Sequence, residues 1–180
     1  MYVAKICRIK RQLELIRAFS DLKQRVSSAS LLLVGGIDEA KYYEAIKREV
    51  ARRGISTSVI FAPHVSQKAL VSIYKSAAIN ISLSLTAGTD MGLREGLAAC
   101  TASIVPNMPA VKEFLANQKS AVLVNPVDQT EITFALHQLL TDTVLRMRIQ
   151  QEGTRVAETF DRDYVAKRFL REINDIRACM

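Results

Sequence analysis

Six short apolar runs punctuate this chain, each followed by a stretch of helical periodicity, and that alternation leaves few folds open. The runs cover residues 3–7, 30–34, 57–61, 78–84, 102–105 and 121–124, and aliphatic side chains dominate them. They are too short for helices and apolar at successive positions, as strands covered on both faces must be. Helical patterns fill the intervals at residues 12–25, 39–53, 66–76, around Glu95 and at 109–117. In the first of these, Leu13, Leu15, Ile16, Ala18, Phe19 and Leu22 share roughly one face. Gly54 stands where the second helix needs a C-cap, and Ser66 where the third needs an N-cap. Asn125-Pro126 stops the last strand, and helices follow at 129–140, 143–159 and 163–178, the last two parted near Phe160-Asp161. Strands that alternate with helices predict a doubly wound α/β fold, a parallel sheet of about six strands with extra C-terminal helices. No linker, repeat or low-complexity tract divides the chain, so residues 1–180 are expected to form one domain.

Composition narrows the function classes. The apolar share of 49% and charged share of 24% are those of a soluble globular domain. No apolar run approaches the roughly 18 residues of a membrane span, and the first residues lack a signal-peptide layout. Three cysteines, Cys7, Cys100 and Cys179, are odd in number and far apart, which suits reduced thiols in the cytoplasm. Cys7 and Cys100 read as small core residues. Two histidines, His64 and His137, and scattered acids offer no metal-ligand spacing, so no metal and no cofactor is expected. The net charge of +7 suits phosphate-bearing partners: nucleotides, nucleic acid or an anionic membrane surface. Aromatic residues make up only 6% and do not interleave with basic ones, which sets nucleic acid aside.

In a doubly wound fold ligands bind beyond the carboxyl ends of the strands. The loops to inspect are residues 8–11, 35–38, 62–65, 86–91 and 106–109. The fourth is the most telling. Ala87-Gly88-Thr89-Asp90-Met91-Gly92 joins a strand to a helix, and such a turn exposes backbone N–H groups aligned with the helix dipole. It is a ready anion site. Glu95, one turn into the helix, can accept hydrogen bonds from the paired hydroxyls of a ribose.

The order of these loops resembles the C-terminal, nucleotide-sugar-binding half of a GT-B glycosyltransferase, most like the retaining enzymes of glycosyltransferase family 4 (group 1). The resemblance covers essentially the whole chain. Residues 3–10 stand where the family opens on Val-Gly-Arg-Leu followed by a lysine, and Leu32-Leu33-Val34-Gly35 matches its second strand. Val59-Ile60-Phe61-Ala62-Pro63-His64-Val65 takes the place of Val-x-Phe-x-Gly-x-Val. Ile73-Tyr74-Lys75-Ser76-Ala77 resembles the tyrosine-bearing helix, and Glu95-Gly96-Leu97-Ala98-Ala99-Cys100 stands for Glu-Ala-Met-Ala. Val122-Leu123-Val124-Asn125-Pro126-Val127-Asp128 matches the Gly-Leu-Leu-Val-x-Pro-x-Asp segment.

The resemblance implies a metal-independent, retaining transfer of a glycosyl group from a nucleotide-diphosphate sugar to an acceptor hydroxyl, in polysaccharide or glycoconjugate biosynthesis. It places Lys5 and Lys10 on the donor diphosphate and Glu95 on the ribose. The backbone of Gly88, Thr89, Asp90, Met91 and Gly92 would receive the distal phosphate, and His64 would line the base pocket. Two departures stand out. Lysine at position 5 replaces arginine and lacks its planar fork. Ala87 replaces the first of two paired glutamates, the one that contacts the donor sugar, and Asp90 is the candidate to stand in for it. The family's acceptor-binding N-terminal domain is absent from these residues, so the chain alone is expected to be inactive without that domain or a partner chain. The alternative is a non-catalytic nucleotide or nucleotide-sugar binding module acting through a partner. Peripheral contact with a membrane surface stays open.

Overall fold

The computed structural model describes residues 1–63, 65–86 and 90–178, the side chains of 162, 172 and 174–178 excepted. Among the described residues there are six strands: β1 (Tyr2–Val3), β2 (Leu31–Val34), β3 (Val59–Ala62), β4 (Ile79–Ile81), β5 (Ala102–Pro106) and β6 (Val122–Val124). The helices are α1 (Gln12–Lys23), α2 (Ala40–Arg52), α3 (Gln67–Ser76), α4 (Met91–Ala98), α5 (Pro109–Lys112), α6 (Gln129–Thr141), α7 (Thr143–Glu158) and α8 (Arg162–Ala178).

All pairings are parallel, in two three-stranded sheets ordered β1-β2-β3 and β4-β5-β6. Backbone hydrogen bonds lace the sheets edge to edge at β1 and β4. The Met1 nitrogen donates to Ile79 O at 2.7 Å, and Ile81 N donates to Met1 O at 2.9 Å. The resulting order 3-2-1-4-5-6 reverses direction between β1 and β4, and a crevice opens there beyond the strand ends.

Side chains alternate across the strands as period two requires. Tyr2, Leu31, Leu33, Ile104, Val122 and Val124 join the main core with Leu15, Ile16 and Phe19 of α1, Ile46 of α2 and Ile132 of α6. Their neighbours face the other way. Val3, Leu32 and Val34 meet Leu70 and Tyr74 of α3, while Val105 and Leu123 meet Leu93 and Leu97 of α4. Both faces of the inner strands are covered, which is why they carry continuous apolar runs, while at the β3 edge Ile60 is exposed.

The caps follow their expected chemistry. Ser66 Oγ accepts from Ala69 N at 3.2 Å, and Gly54 takes φ +68° after α2. Three details depart from the sequence expectation. β1 is confined to Tyr2–Val3, because Lys5 and Cys7 leave the ladder and only Ile6 bridges to Ile37 beyond it. The helix expected over 109–117 is the short α5, after which the chain turns back through Ala116, Asn117 and Gln118 toward β6. Cys100 is exposed, not a core residue: it adopts φ +58° to swing the chain from α4 into β5, which turns its side chain outward.

Candidate functional site

The crevice at the β1–β4 seam is built by two loops zipped together. Residues Arg8–Lys10 form a 3-10 turn after β1. Leu85 N donates to Ile9 O at 3.2 Å, and the Lys10 ammonium donates to Ser84 Oγ at 3.0 Å. The Tyr2 hydroxyl sits between the loops, donating to Lys10 O at 2.8 Å and accepting from Leu83 N at 3.3 Å. Burial, followed by the charge of Asp90, pushes this phenol well above the usual tyrosine range. It therefore stays a neutral donor.

From Ser84 the network runs to the start of α4. Ser84 N donates to Ser82 Oγ at 3.4 Å, and Ser82 Oγ donates to the Asp90 carboxylate. Asp90 occupies the N-cap position of α4 without making a side-chain capping bond, so it leaves the first-turn amides uncapped. Its carboxylate lies beside the first turn, Oδ1 standing 3.4 Å from where a Cβ on Gly92 would be. Only 5% exposed, Asp90 is directed inward to Ser82.

Glu95 comes next along α4. Its Oε2 accepts from the Tyr74 hydroxyl at 3.1 Å, and among the described residues Oε1 has no hydrogen-bond partner. Two glycines let α4 sit where it does. A Cβ on Gly92 would fall 2.5 Å from Val3 O, and one on Gly96 would fall 2.2 Å from Asn80 Nδ2. Asn80, 1% exposed in β4, uses that space to donate to Gly92 O at 3.0 Å. Glu95 lines two clefts. One of about 680 Å³ also meets Met91, Arg94, Ala98, Phe160 and Tyr164, with the Arg94 guanidinium 4.6 Å from the Phe160 ring centroid. The other, about 240 Å³, lies between α3 and α4 against Leu70, Val71 and Tyr74.

The structure thus links Lys10 through Ser84 and Ser82 to Asp90 at the head of α4, the helix that carries Met91, Gly92 and Glu95. Lys5 is placed differently. Its ammonium stands 3.8 Å from Asp38, in the loop after β2, on the side of β1 away from β4. Its side chain is 72% exposed, so the pair is a loose surface contact that a stronger anion could displace. Gly88, Thr89, Ala87 and His64 lie outside the described residues. Tyr2, Tyr74 and Asn80 were not among the sequence candidates. Tyr74 carried one signal, its place in the tyrosine-bearing helix motif, whereas the other two look like ordinary strand residues. No three His, Cys, Asp or Glu side chains among the described residues come together as a metal site. No helix of the described residues is long and apolar enough to cross a membrane.

Comparison with known proteins agrees with this architecture. An uncharacterised glycosyltransferase of Methanocaldococcus jannaschii is 25% identical over 154 residues, covering 85% of this chain and 38% of the relative. The chain thus spans well under half the length of that curated relative. Among solved structures, the C-terminal domain of a glycosyl transferase group 1 family protein from Francisella tularensis superposes with a TM-score of 0.80 at 21% identity, over 88% of this chain and 83% of that one. Sucrose-phosphate synthase from Thermosynechococcus elongatus gives 0.81 at 19% identity, over 99% of this chain and 45% of that one. The Anabaena protein HepE, solved with UDP and glucose, gives 0.81 at 14% identity, over 97% of this chain and 47% of that one. The shared fold is the Rossmann-like C-terminal half of the GT-B architecture. The family described as glycosyl transferases group 1 matches residues 1–156, nearly the whole sheet and its helices, and this chain belongs to that family.

Proposed function

We propose that this chain is the donor-binding half of a retaining, metal-independent family 4 glycosyltransferase. It holds a nucleotide-diphosphate sugar while the glycosyl group passes to an acceptor hydroxyl bound by an N-terminal domain or partner chain beyond these 180 residues. One observation carries the reading: a hydrogen-bonded chain leads from the Lys10 ammonium through Ser84 and Ser82 to Asp90, which makes no side-chain cap at the head of α4, and one turn on along that helix a Glu95 oxygen has no partner among the described residues. The Lys10 ammonium and the first turn of α4 suit a diphosphate, and Glu95 Oε1 suits a ribose hydroxyl. A cleft of about 680 Å³ beside Glu95 is of ligand size.

In the transfer, the bond from the anomeric carbon to the diphosphate oxygen breaks as the acceptor oxygen forms its bond to the same carbon on the face the diphosphate leaves, which retains the configuration. The acceptor proton passes to an oxygen of the departing nucleoside diphosphate, on which the remaining negative charge collects. Lys10 and the α4 amides stabilise that charge, doing the work a metal ion does elsewhere. Lys5 joins them by exchanging its loose contact with Asp38 for phosphate.

A second reading is favoured by one residue. The Ala87 side chain has no oxygen to accept a hydrogen bond from the donor sugar, which suits a nucleotide-binding module that does not transfer sugar. Calorimetric titration with UDP, GDP, ADP and their sugar conjugates separates the readings. Binding of one nucleotide that is weakened by Glu95→Ala is expected, with transfer appearing once an acceptor-domain partner is supplied. Binding without transfer or hydrolysis in any pairing favours the module, and no binding of any nucleotide overturns both.

A further inference from the structure

Glu95 has a companion whose geometry goes beyond a packing role. The Tyr74 hydroxyl lies 3.1 Å from Glu95 Oε2 and 3.1 Å from Gly92 O, and it has one proton to give. The Gly92 carbonyl also accepts from Asn80 Nδ2 at 3.0 Å, and of the two acceptors within reach of the phenol the carboxylate makes the stronger, charge-assisted bond. The ring is only 2% exposed, and the Thr101 hydroxyl donates to the Tyr74 carbonyl at 2.8 Å, so both ends of the residue are fixed. Gly96 has no side chain because Asn80 fills that space, which sets the rotation of α4 and so the direction of Glu95.

We propose that Tyr74 is a positioning residue for Glu95: it pins one carboxylate oxygen so that the other is held ready for the ribose hydroxyls of the donor nucleotide. The proposal rests on the donor-site reading above. A glutamate on a helix surface ordinarily samples several rotamers and must be ordered when it binds. Here a buried phenol has already ordered it. Burial, followed by the Glu95 charge, lifts the Tyr74 hydroxyl far above the usual tyrosine range, so it stays protonated across the working range of any enzyme. The side chain touches the carboxylate and not the ligand, so its effect must run through ribose recognition alone.

The test uses whichever of UDP, GDP and ADP the chain binds tightest, together with its 2′-deoxy counterpart, each titrated by calorimetry into wild type, Glu95→Gln and Tyr74→Phe. Tyr74→Phe keeps the ring, and Asn80 still holds Gly92 O, so the fold is retained; thermal melting checks it. Wild type is expected to prefer the ribonucleotide, and Glu95→Gln to lose most of that preference. Tyr74→Phe is expected to lower the preference about three- to tenfold, with 2′-deoxynucleotide binding unchanged. Equal weakening of both nucleotides, or an unchanged preference, overturns the proposal while the ribose role of Glu95 stands. If Glu95→Gln itself keeps the full preference, the donor-site reading fails, and the proposal with it.

Discussion

The Lys10 ammonium and the Ser84 hydroxyl meet at 3.0 Å although 74 positions separate them in sequence. That bond closes the β1–β4 seam at its functional end. It ties the first loop to the serine-rich exit of β4, and Ser82 carries the connection on to Asp90 at the head of α4. An ammonium has three protons, and one is spent on Ser84. The lysine is thus oriented across the crevice before any ligand arrives.

Lys10 and Lys5 therefore differ in kind, and their replacement should separate them. Lys10→Met is expected to weaken nucleoside diphosphate binding about tenfold while leaving the parent nucleoside unaffected, since only phosphate loses its partner. Lys5→Met should cost about twofold or less in the same titration, because an exposed pair with Asp38 must first be given up. Equal losses from the two variants would show that Lys5 swings fully into the site.

Much of this was legible in the sequence because it depends on local pattern. Runs such as Leu31–Val34 and Val122–Val124 announce buried parallel strands, and Ser66 and Gly54 mark helix ends through their own backbone chemistry. Glu95 stands out by its register to the loop before it. What escaped is long-range pairing. Nothing near Tyr74 in sequence points to Glu95, 21 positions on, since the contact depends on how α3 leans against α4. Asn80 sits in a strand that reads as apolar, and its role becomes visible only when Gly96 is seen to leave room for its amide. Cys100 misled for the same reason: its apolar character predicts burial, whereas the turn out of α4 decides its exposure.

Asp90 places a negative charge where a bound phosphate would compete with it. A carboxylate beside a helix N-terminus stabilises the fold by about 0.3–1 kcal/mol, and the same charge repels a diphosphate. Asp90→Asn keeps the shape and can keep the Ser82 contact. Diphosphate affinity is expected to rise about threefold at low ionic strength, fading as salt screens the repulsion. Nucleoside affinity should not move. A loss confined to the sugar conjugate would instead show Asp90 turning out to serve in place of the glutamate that Ala87 replaces.

Gly96→Ala sets two effects against each other. Alanine gains about 1 kcal/mol of helix propensity. Its Cβ, however, would fall 2.2 Å from Asn80 Nδ2, with Cγ and Cβ of Asn80 at 2.7 and 3.1 Å, so the amide cannot simply swing clear. Overpacking costs about 1–3 kcal/mol, and an Asn80 amide pulled off Gly92 O costs about 1–3 more. The variant should lose about 3 kcal/mol net in urea unfolding. It should also bind nucleotide more weakly, because α4 must rotate and take Glu95 with it.

Far from the crevice, Glu49 gives the fold a pH dependence of its own. Its Oε1 meets Arg52 Nη2 at 2.6 Å and Arg53 Nε at 2.7 Å, and its side chain is 12% exposed. The Arg52 hydrogen bond, aided by Arg53, holds the carboxyl down to about 2 from an ordinary 4.5. A depressed carboxyl stabilises the folded state above its unfolded pKa and loses that contribution as pH falls. The contribution is thus complete above pH 4.5 and fades as pH falls from there toward about 2. Arg52 is 65% exposed, and solvent screening cuts the stabilisation to about 1–2 kcal/mol. Glu49→Gln should therefore lower the urea midpoint at pH 7, with the gap to wild type unchanged down to pH 5 and shrinking steadily below it. A gap that stays constant to pH 3 would show that packing, not charge, is what the glutamate supplies at the end of α2.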